Sequence, residues 1–402
     1  MSWYQLCKSK KNELLPEFFS SVKDIKKDDW NSIAGTSNVY LSLPYLQSLE
    51  ESLDDQLGFR YIIFYTAEKQ PVALASVQIL DFSSDAFKKN DVYCKVATGI
   101  KNKVLESLGV KMMVCGNVFA TGENGFMFTN DISPEEAYTN LSNGLYELRQ
   151  QTKLDKPISV VLLKEFWPHH FKDTDTLKSA GFKDFKVDVN MVLKIHPDWL
   201  NMDDYLASMT TKFRTKAKGV YKKSAEVLIK DLSELEIYEN KENIERLYRS
   251  VVEKADFKFG VLTSDAFVQF RRNLGDNFIF KGYFVNDKMV GFSSAFISGS
   301  SLDANFVGLD YVYNQQYAIY QRMLYDFVEI GIQNGSKELR LGRTAEEIKS
   351  CIGAEPTDMK LYLRHRNSIS NKLIAPIIAT ITPSEFELRY PFKADFSQPA
   401  YG

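Results

Sequence analysis

Twice along the chain, two alternating apolar runs are joined by a short polar turn. Residues 58–80 read GFRYIIFYTAEKQPVALASVQIL and residues 277–297 read NFIFKGYFVNDKMVGFSSAFI. Each pattern predicts a β-hairpin. A helical stretch precedes each hairpin, at residues 44–53 and 264–273. Helical spacing returns at 134–152, ahead of an apolar run at 158–163, and at 315–334, ahead of 338–341. A short helix, a glycine and a strand then close both halves. One copy leads through Gly181 to 187–195, the other through Gly353 to 359–363. Both glycines stand where a helix end favours a left-handed residue. The order helix, hairpin, helix, strand, short helix, glycine, strand therefore occurs twice. It predicts a duplicated α/β unit with a mixed sheet, although these are common units that also recur by chance. The boundary is expected near residues 197–201, giving units 1–198 and 199–402.

The chain has 402 residues, with 44% apolar and 25% charged side chains, an ordinary globular mixture. Its 50 basic and 52 acidic groups leave a net charge of −2, which lowers the weight of a nucleic-acid partner. The cysteines Cys7, Cys94, Cys115 and Cys351 are far apart and form no CxxC, so neither a zinc ribbon nor a disulfide framework is expected. Cys115 reads as a buried strand residue. Of four histidines only His169 and His170 are close together, and they read as a turn after Trp167-Pro168, so no metal site is expected. His365 follows the last strand and makes only a weak candidate base. The N-terminus has no apolar core of a leader, and no apolar run reaches the ~20 residues of a membrane span. A cytoplasmic protein is expected, with peripheral membrane contact as an option. That option comes from the polar segment 200–232, where Lys212, Arg214, Lys216, Lys218, Lys222 and Lys223 crowd together. This run suits an anionic substrate or carrier, an anionic lipid surface, or a solvated helix face. Arg214 and Lys218 are its candidate binding residues.

Several positions carry candidate chemistry. Asp303 and Asn305 alternate on one strand, where an acidic residue is costly unless it lies in a cleft, so a substrate contact is expected. Asp310 and Tyr313 follow that strand just before a helix. A carboxylate there can accept a proton and a tyrosine can give one to a leaving thiolate, while Asn314 can serve simply as a cap. Arg343 ends a strand beside Gly342. Its planar fork suits a carboxylate, phosphate or sulfonate, or an ion pair with Glu346 or Glu347.

The doubled pattern resembles two GNAT acyltransferase folds in tandem, as in FemAB-type peptidoglycan-bridge aminoacyltransferases and related peptidoglycan-biosynthesis proteins. The resemblance is strongest at Leu341-Gly342-Arg343-Thr344, Glu347-Ile348-Lys349 and Gly353-Ala354, and the basic run 211–223 resembles the helix that precedes the second domain. It implies two mixed, mostly antiparallel sheets flanked by helices, with the active site in the second unit and a degenerate first unit. It also implies N-acyl transfer and a functional lysine at Lys349, and since no Ser-His-Asp arrangement or nucleophile elbow is visible, direct attack is expected. The co-substrate it implies is an acyl-CoA or acyl-carrier-protein thioester, with no tightly bound cofactor. The acceptor is then a small-molecule or lipid amine. Two features of the family are missing: the long helical arm and the glycine-rich pyrophosphate loop. Residues 308–318, GLDYVYNQQYA, hold only Gly308. A carrier- or lipid-borne donor gains weight accordingly. The alternatives are tRNA-dependent aminoacyl ligation to a cell-wall precursor and a non-catalytic binding module.

Overall fold

The computed structural model describes residues 13–82, 110–186, 189–254, 261–378 and 386–396. Cys7 and Cys94 lie outside them, as do residues 187–188 of the expected strand 187–195. The described strands form two sheets. The first contains β1 (Leu15–Phe19), β2 (Gly58–Tyr65), β3 (Pro71–Phe82), β4 (Val110–Cys115), β5 (Phe126–Phe128), β6 (Ile158–Phe166) and β7 (Lys183–Lys186). The second contains β8 (Asn190–Lys194), β9 (Leu228–Asp231), β10 (Phe278–Val285), β11 (Lys288–Ser298), β12 (Ser301–Leu309), β13 (Glu338–Arg340) and β14 (Glu355–Thr357). The last strand, β15 (Lys360–His365), belongs to the first sheet.

Both expected hairpins form, with Gly58 opposite Ile79 and Phe278 opposite Phe296. Each sheet has a single parallel pair among the described strands, β4 with β6 and β12 with β13. A parallel pair needs a crossover, and the helices Pro134–Gln151 and Ile319–Gln333 supply it. The sheet orders are β1-β2-β3-β4-β6-β15-β7 and β9-β10-β11-β12-β13-β8-β14, so the two halves repeat position by position. One position is exchanged. β8 inserts between β13 and β14, and β15 inserts between β6 and β7. Each half therefore completes the sheet of the other, and a cut between 198 and 199 leaves β8 in the sheet of the half that follows it. Alternation marks these segments as strands, but it does not say which open ladder they join.

Two further differences have local causes. The stretch expected as one helix over 315–334 is two helices, Tyr311–Tyr317 and Ile319–Gln333, broken at Ala318 with φ 53°. Asn314 Oδ1 accepts from Tyr320 N at 2.8 Å and so caps the second helix, while Asp310 caps the first through Val312 N at 3.2 Å. The strands β1 and β9 were invisible in the pattern because LPEFF and LIKD are too short to show alternation.

The halves share a core. Tyr45 stacks on Phe270 with ring centroids 5.1 Å apart, and Tyr40 lies 5.5 Å from Phe296. Asn273 Nδ2 donates to Ser48 Oγ at 3.0 Å across the same seam. The C-terminal segment 386–396 packs on the second half, where Phe392 meets Trp199 at 5.1 Å.

Candidate functional site in the second sheet

The parallel ladder between β12 and β13 is short. It pairs Ser301 with Glu338, Leu302 with Leu339 and Asp303 with Arg340, and ends there. β12 runs on to Leu309 along β11. The chain after β13 turns instead to β8, with Leu341 N donating to Met191 O at 2.8 Å and Met191 N to Gly342 O at 3.0 Å. The two parallel strands thus part at Asp303 and Arg340. At the same level β12 carries a bulge: Ser294 faces Phe306 and Ala295 faces Ala304, leaving Asn305 without an opposite residue. A bulge re-aims side chains and recurs beside active sites.

Asp303 is only 4% exposed. Its Oδ1 accepts from Ser301 Oγ at 3.1 Å and lies 3.9 Å from Arg340 Nη1. Burial raises its pKa, and the Arg340 charge partly opposes that rise. Tyr40 reaches this strand from the other half. Its hydroxyl accepts from Asn305 Nδ2 at 2.8 Å and lies against the Asp303 carboxyl. Burial first, and the Asp303 charge second, push the Tyr40 phenol well above its ordinary value. A short turn, Val39–Leu41, aims Tyr40, with Asn38 Oδ1 accepting from Tyr40 N. Arg340 stacks over Trp167 at 4.6 Å and pairs with Glu338 at 3.2 Å. The sequence reading chose Asp303 and Asn305 but missed Tyr40, Arg340 and Trp167. No motif marks Tyr40, and its role depends on a contact across 265 positions.

Arg343 and Lys349 belong to the segment that leaves the ladder after β13. The chain around Arg343 bends sharply, with positive φ at Gly342, Thr344 and Ala345. Lys349 Nζ turns inward and donates to Arg343 O at 2.5 Å and Gly342 O at 3.4 Å, clasping that loop. Burial lowers its pKa to about 7, against a smaller opposing effect of Glu346. The unfolded chain therefore binds more protons at this group between about pH 7 and 10.5. Stability is expected to rise with pH through that window, and Lys349→Met is expected to flatten the rise in denaturant midpoints. An unchanged slope would remove Lys349 as a buried titrating group.

Arg343 pairs with Glu165, not with Glu346 or Glu347. Glu165 is fully buried, has φ 59°, and lies 2.9 Å from Lys164 Nζ. Burial pulls the Arg343 guanidinium down to about 10 and Lys164 well below its usual range. Asp310 caps its helix and lies 3.6 Å from Lys288 and 3.8 Å from Arg246. Lys288 also covers the Tyr313 ring at 4.7 Å. Asp310 and Tyr313 therefore form one group, roughly 20 Å along β12 from Asp303 at ~3.3 Å per residue. Burial raises the Tyr320 phenol pKa, and the Glu346 and Tyr311 charges add smaller contributions. Arg214 and Lys218 lie on the helix Thr211–Lys223, which buries Phe213, Ala217 and Val220 and exposes Lys218. Cys115 is buried, its thiol pushed up to about 12 by burial, as expected of a strand cysteine.

No family model and no curated protein matches the chain. Solved structures do match. The crystal structure of FemX superposes with a TM-score of 0.58 at 11% identity, covering 89% of this chain and 100% of FemX. A tandem GNAT protein from the clavulanic acid biosynthesis pathway matches at 0.50 and 8% identity, covering 88% and 99%. L-PGS from Bacillus licheniformis matches at 0.49 and 10%, covering 90% and 98%.

The fold is a tandem GNAT.

This bears out the architecture expected from the doubled pattern. Within the tandem GNAT fold, the parting of β12 and β13 brings Asp303 and Asn305 together with Tyr40 and Arg340. It leaves Arg343 and Lys349 on the segment that follows β13, and Asp310 and Tyr313 at the far end of β12.

Proposed function

We propose that the protein is an N-acyltransferase whose reaction takes place where β12 and β13 part. The observation that carries this reading is the buried Asp303 carboxyl beside the Asn305 bulge, held between Tyr40 and Arg340. The donor is a thioester, and a neutral amine attacks its carbonyl directly. The C–N bond forms and the C–S bond breaks, and the proton that the amine gives to Asp303 passes on to the leaving thiolate. Asp303 accepts the proton from the attacking amine, a role that a carboxylate of raised pKa serves better than an ordinary one. Asn305 and Tyr40 orient Asp303 and the acceptor. Lys349 shapes the wall that follows β13 by holding the loop at Gly342 and Arg343.

The donor's phosphate arm has no glycine-rich loop to meet. At that end of β12, Arg246, Lys288 and Lys254 surround Asp310, Tyr313 and Tyr311, and Lys254 covers the Tyr311 ring at 3.1 Å. These cations, with Lys218 and Arg214 on the basic helix, are a side-chain alternative for binding the phosphate of coenzyme A or a carrier protein. They also suit an anionic membrane surface and hence a lipid amine acceptor in amino-lipid synthesis. Among the described residues, no helix is long and apolar enough to cross a membrane. The first half supplies Tyr40 and β8 to this site and has no reaction of its own in this reading.

The test is thiol release from acyl-CoA and acyl-carrier thioesters, with and without lipid, amino-acid and muropeptide amines. Amine-dependent release is expected. Silence across the panel supports a binding module, and activity that needs aminoacyl-tRNA replaces the thioester donor. Lys349→Met is expected to slow turnover about tenfold, ~1.4 kcal/mol of barrier. An unaltered rate would retire the wall-shaping role.

A further inference from the structure

One group of coordinating side chains lies outside the proposed reaction. Glu123, on the loop after β4, meets His169 and His170, on the turn after β6. We propose that Glu123, His169 and His170 form a binding site for a divalent transition metal of the zinc class. One oxygen and two imidazole nitrogens lie within 4.8 Å of one another. Two nitrogen donors and one carboxylate favour zinc, cobalt, nickel or copper, whereas calcium and magnesium prefer several oxygens. Tetrahedral zinc with ligand bonds near 2.0–2.2 Å needs donor atoms roughly 3.3–3.5 Å apart, so modest side-chain rotations close the site.

The scaffold holds two of the three donors, Glu123 and His170, in advance. Trp167 N donates to Glu123 Oε1 at 2.6 Å, and His170 Nδ1 lies 2.6 Å from Glu123 Oε2. Pro168 starts the turn Pro168–His170, and Thr174 Oγ1 donates to His170 O at 2.9 Å. Asn38 Nδ2 fixes the carboxylate's loop by donating to Glu123 O at 2.9 Å. His169 is exposed, which leaves one side open to water or an added ligand. Bound metal would join the loop after β4 to the end of β6. That junction is next to Trp167, on which Arg340 stacks.

The proposal departs from the expectation, read from four histidines with one close pair, that no metal is held. The missing partner was 46 positions upstream of His169. This inference does not depend on the acyl-transfer reading, and its test reads metal alone. The full chain, stripped with chelator, is titrated with Zn2+ by calorimetry and with Co2+ by visible absorption. One equivalent is expected. Affinity is expected to fall at least tenfold in His169→Ala, which removes an exposed side chain and keeps the fold, and in Glu123→Gln and His170→Ala. His196→Ala and His365→Ala are expected to bind as the parent does. The proposal is overturned if the parent binds no metal, if His169→Ala keeps parent affinity, or if the loss appears in the His196 or His365 variants instead.

Discussion

Asp303→Asn is expected to lower the turnover number at least a hundredfold while the protein stays folded. General-base catalysis contributes about 10²–10⁴ in rate, and a hundredfold loss corresponds to ~2.7 kcal/mol of barrier. The substitution is nearly isosteric, and Ser301, Tyr40 and Arg340 remain around it. Because burial raises the Asp303 pKa, its effect on stability has a definite sign. The protonated form is favoured in the folded state, so this group's stabilising contribution is present below the unfolded carboxyl pKa. It is lost as pH rises through the folded value. At neutral pH the parent therefore holds a buried charge at a cost that the amide avoids. The variant is expected to melt at or above the parent temperature while losing activity. The parent rate should also fall on the acid side as Asp303 protonates, and this limb should disappear from the residual activity of the variant. Parent-like turnover in a folded Asp303→Asn protein would refute Asp303 as the base.

The largest expected effect on stability comes from Phe270→Ala. Phe270 is fully buried, stacks on Tyr45 at 6° between planes, and meets Phe296 edge-on at 5.2 Å. Removing such a ring typically costs about 3–5 kcal/mol through lost transfer energy and the cavity left behind. Tyr45 belongs to the first half and Phe296 to the second, so the loss should reach both sheets. Exchanged strands strengthen this coupling, since β8 and β15 tie each sheet to the other half of the chain. Hydrogen exchange is expected to show protection falling together in β2–β3 and β10–β11. Protection lost in the second sheet alone would mean that the halves fold as independent units.

Where β8 and β15 dock is the clearest limit of sequence reading here. Their apolar character is local, and so is the glycine turn ahead of each. Their partners are not, because every strand presents the same backbone donors and acceptors to any open ladder. The same limit governs the site. Asp303 stood out because an acid within an apolar strand is costly. Arg343 stood out as an arginine at a strand end, yet its partner proved to be Glu165, far away in the sequence. Lys349 was marked by resemblance alone, and the structure turns its ammonium inward to two backbone carbonyls.

By itself the sequence determined the repeated order of hairpins, crossover helices and glycine turns, since these follow from periodicity and backbone preference within a few residues. Tertiary structure decided which half completes which sheet, where β12 and β13 part, and that Tyr40 meets Asp303 and Asn305. Those outcomes depend on packing between segments hundreds of positions apart. Local pattern specifies the face that a segment buries, and only the assembled core specifies what it is buried against.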